Sequence, residues 1–217
     1  YQFWRCRYNC YRGDGAFGQF CIVIPEHETV VAITSGTNDM GAIMKAVWEL
    51  LLPAMALEPV EPHSPTVQAL ALKLKDLKLP PVNGKSRSPV SKGLLQQKFQ
   101  VLKNEAGVHS VSFDLHGDDH RITVNMEHGI ETLHLGNQKY VGSELKQDLP
   151  STQTMGRKIG ASGGWVKPDE YHVKVYLTET PASILYRFQF KDHRMTWTSE
   201  LRHSLFGPRE LPILRGE

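Results

Sequence analysis

One pair of residues has the spacing of an activated nucleophile. Ser143 is followed three residues later by Lys146 in Ser143–Glu144–Leu145–Lys146, and S-x-x-K occurs nowhere else in the chain. On a helix this spacing sets a hydroxyl against an amine that can take its proton. Here it falls in a β-rich stretch, where we expect a loop after Lys139–Val141 and no catalytic role. A second group is His116, Asp118 and His120 in the turn HGDDH, with His128 at the following turn. The strand Arg121–Glu127 between the two turns holds them roughly 20 Å apart, so one metal cannot bridge them. The trio reads as solvated turn residues, and no metal or cofactor is expected. Cys6, Cys10 and Cys21 complete the inventory. They lack zinc-site spacing and read as free thiols packed on or near strands, in a reduced, cytoplasmic setting.

These residues sit in a chain of 217 with net charge +2 and 40% hydrophobic residues. Its basic residues are scattered rather than gathered into a stripe, which argues against a nucleic-acid partner. Its most apolar stretch, Ala46–Leu57, contains Glu49 and Pro53 and falls short of the roughly 18 residues a membrane helix needs. No membrane partner is expected.

Residues 1–57 read as strand, Gly-rich turn, two strands and a helix. YQFWRCR alternates as a half-buried strand does, and NCYRGDGAFG is turn-rich. The β-branched runs Ile22–Ile24 and Val30–Ile33 suit strands covered on both faces. The glycines around Asp14 suit an edge strand along which a substrate passes close to the backbone. Asp14 and Arg12 could form a surface ion pair of little energetic weight. Thr37, Asn38 or Asp39 can cap a helix whose stripe is Met40, Ile43, Met44, Val47, Trp48 and Leu51, ending at Pro53. Such a unit exposes too much apolar surface to stand alone. Since Tyr1 falls within a strand, the chain is expected to be the C-terminal part of a larger protein. Copies of residues 1–57 are expected to pair through bare edges and the helix face.

Residues 58–90 read as a Pro-rich linker around a short helix, TVQALALKLKDLKL. Residues 91–217 alternate with period two through six to eight short strands, which predicts an up-and-down antiparallel barrel. Phe113, Leu115, Ile122, Val124, Val173, Val175, Leu177, Tyr186, Phe188, Phe190 and Trp197 fall on inward positions, as core or as cavity lining. Gly163–Gly164–Trp165 predicts a bend with an aromatic plug. The fold class is therefore mainly β with minor α.

YQFWRCR, GDGAFGQFCIVIPEHETVVAITSGTND and MGAIMKAVWELLLPAM together resemble the end of the catalytic domain of β-lactamase-related serine hydrolases, the superfamily of class C β-lactamases, penicillin-binding proteins and family VIII esterases. Residues 91–217 resemble the lipocalin-like domain that follows it in some members, chiefly through ASGGW…Y…VKVYLTETP. The resemblance implies an α/β remnant followed by a β-barrel. It implies a parent that hydrolyses a small ester or amide through an acyl-serine, with its Ser, Lys and Tyr upstream, so that this chain holds no catalytic residue and is inactive alone. Gly13, Asp14, Gly15, Phe17, Gly18 and Gln19 would form one wall of the parent's substrate pocket. That crossing lacks the K-T-G of β-lactamases, which leans toward an esterase, amidase or peptidase branch. The alternative is a lipocalin-like module that binds an apolar ligand or covers the parent's active site.

Overall fold

A computed structural model describes residues 3–55, 61–94, 97–115, 117, 119–150, 157–202 and 210–217. The chain is mainly β with few helices and forms two units, Tyr1–Leu79 and Pro80–Glu217.

The first unit is a four-stranded antiparallel meander: β1 (Phe3–Arg5), β2 (Tyr11–Gly15), β3 (Gln19–Ile24) and β4 (Thr29–Ile33), with a 3₁₀ turn at Pro25–His27. Helix α1 (Met40–Ala46) continues through a π turn (Val47–Leu51) into α2 (Leu52–Ala54). The Asp39 carboxylate caps α1 by accepting the Ala42 N–H at 2.9 Å. Met40, Ile43, Met44, Val47 and Trp48 pack on Phe20, Ile22 and Ile24, as the helical spacing predicts. Leu51 does not continue that stripe. It is exposed, and Leu52 takes its place against the sheet. Pro53 has no N–H to give to the turn before it and its ring crowds that turn, which widens to a π turn. The extra residue per turn shifts the stripe by one.

Of the two faces for which the β-branched runs suit cover, this chain covers one. Phe20, Ile22 and Ile24 are buried beneath the helix, but the reverse face carries Phe3, Tyr11, Cys21, Val23, Val30 and Ala32. Phe3 and Val30 are each 62% exposed. The single helix layer lies on one side only, so the β-branched runs have a bare second face. β2 is also not an edge strand: it pairs with β3 and, from Tyr11 to Gly13, with β1.

Helix α3 (Pro65–Lys75) is capped by Ser64, whose hydroxyl accepts the Val67 N–H at 3.3 Å. Leu70, Leu72 and Leu74 on it are exposed.

The second unit is a nearly closed, barrel-like sheet with the short helix α4 (Ser91–Leu94) beside it. Its strands are β5 (Lys98–Gln100), β6 (Val108–Asp114), β7 (Asp119–Met126), β8 (Gly129–Gly136), β9 (Val141–Glu144), β10 (Lys158–Lys167), β11 (Glu170–Leu177), β12 (Ser183–Lys191), β13 (Arg194–Leu201) and β14 (Leu214–Gly216). β5 to β8 form one meander and β10 to β14 another. They close where the Gln100 N–H donates to the Glu217 carbonyl at 2.9 Å and the Leu102 N–H to the Arg215 carbonyl at 2.9 Å.

The opposite seam, between β8 and β10, holds one parallel pair, Gly136 with Ser162. A strap at Val82–Lys85 reinforces it. Lys85 and Trp165 exchange backbone bonds of 2.9 Å, and the Asn137 amide donates to the carbonyls of Gly84 and Gly163 at 3.2 and 3.3 Å. Gly84 and Gly164 approach so closely that a Cβ on Gly84 would lie 2.7 Å from the Gly164 carbonyl carbon. Gly163–Trp165 lie within β10 rather than at a turn: Gly164 admits the strap, Gly163 admits the Tyr171 hydroxyl, and Trp165 is buried in the core as the expected aromatic plug, just before a register shift toward Lys167.

Side chains fill the barrel. Phe113 meets Phe99, Phe188 and Phe190 with ring centroids 5.8, 5.1 and 5.0 Å away, and Trp197 meets Tyr186 and Phe188 at 5.4 and 5.1 Å. Leu115, Ile122, Val124, Val173, Val175 and Leu177 join the same cluster. Among the described residues, no helix is long and apolar enough to cross a membrane.

Candidate functional site

The β2–β3 crossing is built around a three-residue loop, Ala16–Gly18, that follows the Gly15–Gln19 pair. Phe17 and Gly18 take left-handed backbone angles, φ 60° and 82°. At Gly18 this conformation favours glycine, and there is no room for anything else. A Cβ there would lie 2.5 Å from Ile43 Cδ1 and 2.5 Å from Ser35 Oγ.

The loop is tied to the chain entering α1. Ser35 Oγ lies 2.7 Å from the Phe17 carbonyl and 2.9 Å from that of Gly18, the Thr37 N–H donates to Phe17 at 3.1 Å, and the Gln19 amide donates to the Ser35 carbonyl. These contacts fix Phe17, Gly18 and Gln19 as turn and anchor. Gly13, Asp14 and Gly15 lie half-buried on β2. Arg12 grips Asp14 with two bonds, Nε to Oδ1 at 2.7 Å and Nη2 to Oδ2 at 3.1 Å, and lies over the Phe20 ring at 6.0 Å. Asp14 first, then the Cys6 side chain, holds the Arg12 guanidinium protonated beyond its ordinary range. The crossing thus offers an ordered backbone wall with one neutralised carboxylate.

Ser143 and Lys146 are not arranged as a nucleophile and base. Ser143 is on strand β9, opposite Ile159, and not in the loop expected for it. Lys146 follows the strand, and its backbone N–H is bound by the Glu131 carboxylate. A strand turns successive side chains to opposite faces and stretches three residues over roughly 10 Å, so the helical S-x-x-K juxtaposition does not arise.

His116 and Asp118 lie outside the described residues. Among those described, no group of three or more His, Cys, Asp or Glu side chains is placed to hold a metal ion. His120 is not the solvated turn residue expected: it lies on β7, fully buried, with Nδ1 2.6 Å from the Tyr171 hydroxyl. Burial pushes the Tyr171 hydroxyl well above its ordinary range, so it stays neutral.

Two polar arrangements were not apparent from the sequence. His120 and Tyr171 are 51 residues apart, and only Tyr171's inward parity with Val173 and Val175 hinted at burial. Glu131, 4% exposed, accepts the backbone N–H groups of Thr132, Lys146 and Gln147. It anchors the chain leaving β9, and nothing local marks it for that task.

Neither a family model nor a curated protein matches the chain.

Proposed function

We propose that residues 3–55 are the closing strands and last helix of a serine-hydrolase domain of the β-lactamase-related superfamily, and that Pro80–Glu217 is its appended lipocalin-like barrel. The observation that carries this reading is the bare apolar face of Phe3, Tyr11, Cys21, Val23, Val30 and Ala32 on a sheet already covered on its other side. A soluble surface rarely presents so many apolar side chains on one sheet face, whereas an internal sheet between two helical layers does. In the parent, an upstream Ser would attack an ester or amide carbonyl while an upstream Lys and Tyr manage its proton, and water would then release the acyl group. Gly13, Asp14, Gly15, Phe17, Gly18 and Gln19 would form one wall of that pocket. No cofactor enters this chemistry. The packed aromatic interior favours a structural role for the barrel over carriage of an apolar ligand inside it.

Cys21 reports on the bare face. When the polypeptide encoded before Tyr1 is included, alkylation of Cys21 is expected to slow by about tenfold or more, because a second layer covers it. In the 217-residue chain Cys21 reacts fast when dilute and becomes protected as concentration rises, through pairing of copies on that face. Equal Cys21 rates in short and extended chains, each measured by peptide mass spectrometry, would sink the reading.

A further inference from the structure

We propose that Cys6 and Cys10 form a reversible disulfide, a thiol–disulfide exchange site at the turn joining β1 to β2. The register of these strands pairs Phe3 with Gly13, Trp4 with Arg12 and Arg5 with Tyr11. One step further sets Cys6 opposite Cys10, and the Cys6 N–H donates to the Cys10 carbonyl at 2.9 Å. Residues directly opposite on an antiparallel pair have Cα atoms roughly 4.5–5.5 Å apart, within the roughly 4.4–6.8 Å that a disulfide spans.

Both side chains point the same way, since both belong to the apolar cluster of Phe20, Ile22 and Trp48. The turn itself is tight. Tyr8 and Asn9 have φ 58° and 53°, and the Cys10 N–H bonds the Arg7 carbonyl at 3.2 Å. Both thiols are free in the structure. Cys21 lies on the opposite face of the sheet, paired with Gly13 and Ala32, and cannot reach either.

The two sulfurs differ in a way that orders the reaction. Cys6 is half-buried, so a small disulfide in solution reaches its sulfur more readily than that of Cys10. Cys10 is buried, and burial first, then Cys6 and Glu26, pushes its thiol above its ordinary range. The Cys6 thiolate therefore attacks a sulfur of a low-molecular-weight disulfide such as oxidised glutathione, releasing one glutathione thiolate. The Cys10 thiolate then attacks the Cys6 sulfur, and the second glutathione thiolate leaves. Two protein thiols are oxidised, one glutathione disulfide is reduced to two thiols, and the two cysteine protons pass to solvent and end on the glutathione thiolates.

The test incubates the full chain with a mixture of reduced and oxidised glutathione, folded and in urea. Alkylation and peptide mapping follow. The expected result is a Cys6–Cys10 linked peptide in the monomer, formed about tenfold or more faster in the folded chain, with Cys21 left as thiol or glutathione adduct. The C10S variant should trap a lasting Cys6–glutathione adduct, and C21S should leave the link unchanged. A folded chain in which Cys6 keeps its glutathione while Cys10 remains a thiol overturns the proposal. So does a link that forms no faster than in urea.

Discussion

Replacing Phe113 with alanine is expected to cost the barrel about 3–5 kcal/mol, the range for emptying a packed aromatic site. Phe113 is 3% exposed and is ringed by Phe99, Phe188 and Phe190, all three edge-on, at 5.8, 5.1 and 5.0 Å. The cost has two parts: the lost transfer of the ring from water, and a cavity that β6, β12 and their neighbours cannot close without disturbing paired strands. Phe113→Leu keeps most of the volume and should cost about 1.5 kcal/mol or less. Urea unfolding followed by tryptophan fluorescence measures both, since Trp165 and Trp197 lie in the same cluster. A loss below about 1 kcal/mol for the alanine variant would mean that the interior is loosely filled, and would restore the case for an internal ligand.

Gly18→Val is expected to destabilise the first unit by roughly 2–5 kcal/mol. Holding a side-chain-bearing residue at φ 82° contributes about 1–2 kcal/mol, and forcing a β-branched group against Ile43 and Ser35 about 1–3 kcal/mol more. The same contacts bind the β2–β3 loop to the entry of α1, so the substitution would also detach the proposed pocket wall. Gly41→Ala is the matched control. Its Cβ meets only Asp39 Oδ1 at 3.4 Å, and on helix α1 it should stabilise by up to about 1 kcal/mol. Circular dichroism with proteolysis of the first unit separates the two variants. Equal stability of Gly18→Val and wild type would show that the loop bears no part of the unit's packing.

Much of this architecture could be read from local patterns, because those patterns are what the physics of strands produces. Tyr171, Val173, Val175 and Leu177 alternate with His172, Lys174 and Tyr176, and all four are buried. The helix stripe from Met40 to Trp48 was equally plain, and it failed at Leu51 because Pro53 alters the backbone one turn earlier. What could not be read rests on pairings between distant residues. Leu214–Gly216 is too short at three residues to establish a period, yet it closes the barrel against Gln100–Leu102. The Pro-rich strap around Gly84 gives no sign that it lies against Gly164. The bare face of β3 and β4 was hidden by its own composition: β-branched runs predict two covered faces, and only the position of the helix shows that one is open. Of the candidate site, the turn residues Phe17 and Gly18 are suggested by glycine content, while the anchoring of that turn by Ser35, and by Thr37, which reads only as a helix-cap candidate, has no local signal because it joins residues 17 or more apart.

On the proposed reading, the nucleophile is a serine encoded before these residues. Labelling the extended protein with a fluorophosphonate, followed by peptide mapping, locates that serine. One labelled serine is expected, followed three residues later by lysine and encoded before Tyr1, with no label anywhere in the 217-residue chain. A label on Ser143, or on a serine without that lysine, would contradict that reading.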